Sequence, residues 1–244
     1  MAKFFSDMVH QWDRNRYAFS GFLSLAEQDD FYQFLSDYPM LPYTLYGGQE
    51  ECERQMLRIG SPETLGYEED FPIVCLKLAP KNTRFSDTLS HRDVLGALMN
   101  LGIERSTLGD IYLDDNIAYV FCTQKMAPYI REQLTRIKHT TVTVEEIRNL
   151  PELKTNPPEE VPIQVSSLRL DLIVSKTYHL SRQEAQDLFR AHKIYLDGRL
   201  KEDGSQELKP GQILSVRGYG RLSLQEDRGL SKKGKHNLLV SVRK

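Results

Sequence analysis

Four prolines crowd the stretch "PELKTNPPEEVPIQ", Pro151–Gln164, of a 244-residue chain. Each proline removes a backbone donor and fixes φ, so such a run suits neither a helix interior nor a central strand. No helical or strand period runs through it, and it predicts an extended hinge over 151–164. The hinge separates a body from a C-terminal domain over 165–244. Charge divides at the same place. From Ile163 onward there are 16 Lys and Arg against 9 Asp and Glu, whereas the first 162 residues carry 16 against 25. A basic module joined to an acidic body suggests that the C-terminal part meets a polyanion.

Within the body, turn formers and acids in "SPETLGYEEDFP" mark a softer boundary, giving domains at 1–70 and 71–150. "SLAEQDDFYQFLSDY" opens with Ser24 and has Glu27 three residues later, a capping box. Phe31, Phe34, Leu35 and Tyr38 then follow at helical spacing, so 1–70 is predicted to be mostly helical. The Gly47-Gly48 pair reads as a plain turn rather than a phosphate loop. Between 71 and 150 the pattern alternates. "FPIVCLKL" predicts a strand, "SHRDVLGALMNLG" a helix capped by Ser90, and "GDIYLDDNIAYVFC" a hairpin turning at Asp114-Asp115-Asn116. "QKMAPYIREQLTRI" predicts a second helix and "TTVTVEEI" a last strand. The order β-α-β-β-α-β predicts a ferredoxin-like sandwich. RNA-recognition domains share that fold, but "NIAYVFC" lacks their basic-aromatic signature.

Composition narrows the function classes. No apolar run approaches the roughly 20 residues that span a bilayer, and the first residues lack the layout of a signal peptide. No membrane insertion is expected. Cys52, Cys75 and Cys122 lie far apart without C-x-x-C spacing, as expected of reduced thiols in a cytoplasmic protein and not of a metal site. No Gly-rich cofactor loop follows a strand, and no nucleophile stands beside an evident base. Catalytic residues, metal and cofactor are all expected to be absent.

The C-terminal domain carries the chemistry. Leu168, Leu170, Ile173 and Val174 form the apolar stripe of a short helix. Ser181 and Glu184 box the start of a second, whose Ala185, Leu188 and Phe189 face inward. "KIYLDG", "GQILSVRG" and "HNLLVSVRK" predict strands. Arg182 then falls at the first position of the second helix, the end where a helix dipole favours anions. Arg169 repeats the misplacement at the first helix. An external phosphate at these helix starts, held by amides and guanidinium together, would account for both.

The stretch "RLDLIVSKTYHLSRQEAQDLFRAHKIYLDGR…LKPGQILSVRGYGR" resembles the S-four RNA-binding domain over about 60 residues. Arg169-Leu170-Asp171, Ser181-Arg182, Asp197-Gly198, Pro210-Gly211 and Gly220-Arg221 carry the match. Asp197 and Gln212 depart from its usual Asn and Asp. The resemblance implies RNA contacts at Arg169, Lys176, Ser181, Arg182, Gln186, Lys193, Arg217 and Arg221, with Asp171 pairing one of the arginines. Arg92 and Arg105 are candidates for a second contact.

With "GGQEECERQMLRIG" and "LSHRDVLGALMNLGIERSTLGDIYL", the whole chain resembles the YlmH family of bacterial proteins. That resemblance implies an α+β chain of three small domains and a monomeric, non-catalytic RNA-binding factor of the cytoplasm. Its partners would be ribosomal RNA and tRNA on the large ribosomal subunit, in quality control of stalled peptidyl-tRNA. Two rivals remain. A protein-interaction module of the cell-division machinery would use the acidic body. A pseudouridine synthase would need a catalytic Asp in "DGRLKEDG", where Lys201 stands instead.

Overall fold

The computed structural model describes residues 1–14, 16–49, 52–83, 86–148 and 159–243. They fall into two compact units, Met1–Thr155 and Asn156–Lys244.

The first unit begins with α1 (Ala2–Trp12), β1 (Ala18–Leu23) and α2 (Leu25–Phe34). The Ser24–Glu27 capping box closes the start of α2. β2 (Tyr43–Tyr46), β3 (Gln55–Ile59) and the single turn α3 (Pro62–Leu65) follow. The expectation of a mostly helical segment is corrected here, because β1, β3 and β2 form an antiparallel sheet in that order. The Tyr-rich run supplies β2, which pairs Tyr43 with Ile59 and Tyr46 with Met56. Tyr and Thr suit a half-buried pleated surface better than a helix. Phe5, Phe31, Leu57 and Ile59 pack between this sheet and the two helices.

The chain continues through β4 (Ile73–Pro80), α4 (His91–Met99), β5 (Leu108–Asp114) and β6 (Ile117–Thr123). Then come α5 (Ala127–Gln133), β7 (Arg136–Ile137) and β8 (Thr140–Ile147). The sheet runs β5-β6-β4-β8-β7, with every pair antiparallel. Without the short β7, this is the strand order of the β-α-β-β-α-β sandwich. Leu76, Leu78, Val120 and Val142 face α4 and α5. The other face carries Cys75, Tyr119 and Phe121, which pack against Phe22, Cys52 and Met56 from the N-terminal segment. The expected boundary near residue 70 therefore lies inside one unit whose two sheets share an apolar layer.

The second unit starts with β9 (Glu159–Val165), α6 (Leu170–Thr177) and α7 (Arg182–Arg190). It continues with β10 (Ile194–Leu196), β11 (Arg199–Leu200), β12 (Ile213–Val216), β13 (Gly220–Leu230) and β14 (His236–Arg243). The sheet order is β11-β10-β12-β13-β14-β9. The hinge predicted over 151–164 is corrected in its second half, since 159–164 belong to β9; 151–158 lie outside the described residues. Ile163 and Val165 alternate into the core, and Pro162 is tolerated because β9 is the edge strand. Among the described residues no helix is long and apolar enough to cross a membrane.

Candidate nucleic-acid interface

The start of α6 is organised around one buried carboxylate. Asp171 is 1% exposed, and the Arg169 guanidinium grips it with two hydrogen bonds of 3.0 and 2.9 Å. Those bonds raise the Arg169 pKa further above its ordinary value. The Arg182 Nε lies 3.8 Å from the same carboxylate, while 63% of its side chain stays exposed. A residue two positions into α6 thus holds the cations at the starts of both helices. The charge of Asp171 is shared between two cations, and Asp203 also lies within electrostatic reach of Arg169.

The geometry corrects part of the phosphate argument. The first two amides of α6, Leu170 and Asp171, donate to the Gln206 and Gly204 carbonyls at 2.9 and 3.1 Å. The chain's own loop therefore occupies the anion position expected at the start of α6. Gly204 permits this approach, since a Cβ there would fall 2.6 Å from the Asp171 Cβ. At α7 the Ser181 hydroxyl accepts the Glu184 amide at 3.1 Å, and the Glu184 carboxylate accepts the Ser181 amide at 2.7 Å. Ser181 thus acts first as a cap. The Ser181 hydroxyl first, and then the Ser181 amide, hold the Glu184 carboxyl below its usual range.

Of the remaining positions, the structure brings Lys193 and Arg217 together. Lys193 is exposed, and its carbonyl accepts the Arg217 amide at 2.9 Å, so the two residues stand side by side. The Arg217 guanidinium lies over the Tyr195 ring, 5.1 Å from its centroid, which fixes a long side chain without cancelling its charge. Arg221 faces Arg243 in the β13–β14 register, placing two cations on neighbouring strands. Lys176 is exposed in the last turn of α6, where the helix dipole favours it. Gln186 is half-buried on α7.

Sequence reasoning missed an aromatic pair in this unit. Tyr178, at the C-terminal end of α6, and Tyr219, in the turn before β13, have ring centroids 5.2 Å apart. They border a cleft of about 550 Å³ that His179 and Gly218 also line. The signal is present in "RGYGR", where a large ring sits between glycines and arginines.

Arg92 and Arg105 part company. Arg92 is exposed on the first turn of α4. Arg105 instead donates to the Leu108 and Gly109 carbonyls at 2.6 and 3.3 Å. Beside it, Arg54 donates to the Leu108 and Phe22 carbonyls at 3.1 and 2.7 Å. Burial, with Arg54 as a like-charged neighbour, lowers the Arg105 pKa to about 10. Its guanidinium folds back onto the start of β5, which turns it from the surface contact expected of it. Desolvation, and then Arg105, lower the pKa of His91 next to Arg92.

The fold and these side chains define a class: an α+β protein whose C-terminal unit presents cations from two short helices and an adjoining sheet. Residues 67–150 match the family described as "Putative RNA-binding domain in YlmH". Over 196 residues the chain is 34% identical to the ribosome-associated protein quality control protein P2 of Bacillus subtilis (strain 168), covering 78% of this chain and 73% of that protein. The chain belongs to the YlmH family. Among solved structures it is also similar to the cell division protein ylmH from Streptococcus pneumoniae, with a TM-score of 0.47 and 20% identity over 59% of this chain and 86% of that one.

Proposed function

We propose that this chain is a non-catalytic, ribosome-associated RNA-binding factor whose C-terminal unit is an S-four-type domain. It binds structured ribosomal RNA or tRNA on the large subunit and supports quality control of stalled peptidyl-tRNA. The observation that carries the reading is the pair Arg169 and Arg182, drawn from two helix starts onto one buried Asp171 with Arg182 left largely exposed. A fold needs no second arginine there. Phosphate oxygens accept such guanidinium donors well, and shape with backbone contacts dominates recognition of structured RNA. The Tyr219 ring, 37% exposed, adds a surface on which an unpaired base can stack. The name of the Bacillus subtilis relative supports the ribosomal setting.

Gradient sedimentation of lysate at low and high salt tests the reading. Wild type is expected to travel with large subunits, and a folded Arg182→Ala/Arg217→Ala variant to stay near the top. A variant that migrates like wild type would remove the C-terminal unit as the anchor. Absence of both from ribosomal fractions would sink the ribosomal reading and leave a protein partner of the division machinery to be sought.

A further inference from the structure

A β-α-β-β-α-β sheet has one face covered by its helices, and RNA-recognition domains stack bases on the other. In this chain the central aromatic side chains of that other face are covered. Tyr119 and Phe121 are 5% and 4% exposed, packed with Phe22, Met56 and Cys52. The layers touch closely: a Cβ on Gly48 would lie 2.3 Å from the Phe121 ring, and one on Gly109 would lie 2.7 Å from the Phe22 ring. A nucleobase cannot stack on rings already covered by protein.

The helix side is different. A groove of about 530 Å³ lies between α4 and the segment joining α5 to β7, and Arg92, Arg136 and Lys138 line it. Asp93 is the one carboxylate on its wall among the described residues. Lys138 holds that carboxylate at 2.7 Å and the Ser90 hydroxyl donates to the same oxygen, so its charge is offset within the protein. Arg92 and Arg136 are exposed and form no ion pair among the described residues. Asn100 and Thr135 add polar groups, and among the described residues no aromatic side chain lines the groove. Protein-binding hot spots favour aromatic anchors, whereas cations beside small polar groups suit a phosphate backbone. The body as a whole carries more acid than base, which makes this basic groove a local exception.

We propose that the segment over residues 71–150 binds the phosphate backbone of RNA in this helix-side groove, through Arg92 and Arg136 beside Lys138, and not on its sheet face. The inference rests on the reading of the chain as an RNA-binding factor and adds a second RNA-facing surface to it.

The test uses the full chain and a short labelled RNA hairpin, titrated at about 50 and about 200 mM salt. Wild type is measured first. Arg182→Ala/Arg217→Ala then serves as the background in which residual binding reports the groove. Adding Arg92→Glu/Arg136→Glu should weaken residual binding by about tenfold and flatten the slope of log affinity against log salt by roughly two, one for each phosphate no longer neutralised. Lys77→Gln, on the same face of β4 as Cys75, should leave both values unchanged. Should the Glu variant unfold, Arg92→Gln/Arg136→Gln should still weaken binding and flatten the slope. Wild-type binding combined with unchanged groove variants overturns this proposal alone. A hairpin that wild type fails to bind overturns the RNA reading as well. Unchanged hairpin binding without co-sedimentation would make the groove a protein-docking surface, which also overturns the proposal.

Discussion

Two clusters in this chain have the same composition, two arginines and one aspartate, and opposite surroundings. In the first unit, Arg54 and Arg105 donate to main-chain carbonyls, while Asp110 accepts the Arg54 amide at 3.0 Å. In the second, Arg169 and Arg182 share the carboxylate of Asp171, with 35% and 63% of their side chains exposed. Carbonyl acceptors take a guanidinium inward and use its fork as a brace. A buried carboxylate on a helix start anchors the same fork at the surface, where its remaining donors stay available. What an arginine does here is set by which oxygen reaches it, not by its charge.

The largest expected effect falls on the inward cluster. Arg54→Ala would take the guanidinium donor from the Phe22 carbonyl and leave the Leu108 carbonyl to Arg105 alone, and should cost about 3 kcal/mol. At about 2–4 °C per kcal/mol for a chain of this size, the melting shift would be plain in calorimetry. RNA affinity of the folded fraction should not change, and a specific loss would erase the contrast. Next in size is Gly204→Ala. Its Cβ would press on Asp171 and on the Phe189 ring, 2.6 and 2.9 Å away. An expected cost of about 1–3 kcal/mol would appear as an earlier denaturant midpoint, with RNA binding disturbed through Asp171.

Arg182→Ala should do the reverse of Arg54→Ala. Stability should stay within about 0.5 kcal/mol, while RNA affinity falls about three- to tenfold at low salt and the salt slope drops by roughly one. Unchanged binding in fluorescence anisotropy would place Arg182 with the braces. The smallest effect is a pH dependence. Asp93 is held at about 2, against an ordinary 3.8, first by Lys138 and then by Ser90. A lowered carboxylate pKa means that the stabilisation is complete above about pH 4 and is lost as pH falls through about 2. Melting across that window should show a dependence that Asp93→Asn reduces.

Much of this is legible in the sequence, and the failures have physical causes. Capping boxes at Ser24, Ser90 and Ser181 are local, with donor and acceptor three residues apart, so they place helices without tertiary knowledge. The hairpin turning at Asp115 is equally local, with φ of 52° there. β9 reads as a hinge because prolines veto central strands, and only the sheet order makes it an edge. β13 escapes pattern reading because apolar alternation at Leu222 and Leu224 gives way to the charged "QEDR" run. Arg105 and Arg169 both read as surface cations. Their acceptors are the Leu108 carbonyl in one case and Asp171 in the other, and no spacing rule distinguishes these environments.

The pairing of β9 with β14 has a mechanical consequence. Glu159 stands opposite Val242 and Val165 opposite His236, so the first and last strands of the second unit lie antiparallel, side by side. Force applied between residues 159 and 242 would open that seam like a zipper, one pair at a time, instead of shearing all seven pairs together. The unit is built to yield at low load when pulled by its two ends, and to resist when gripped across its sheet.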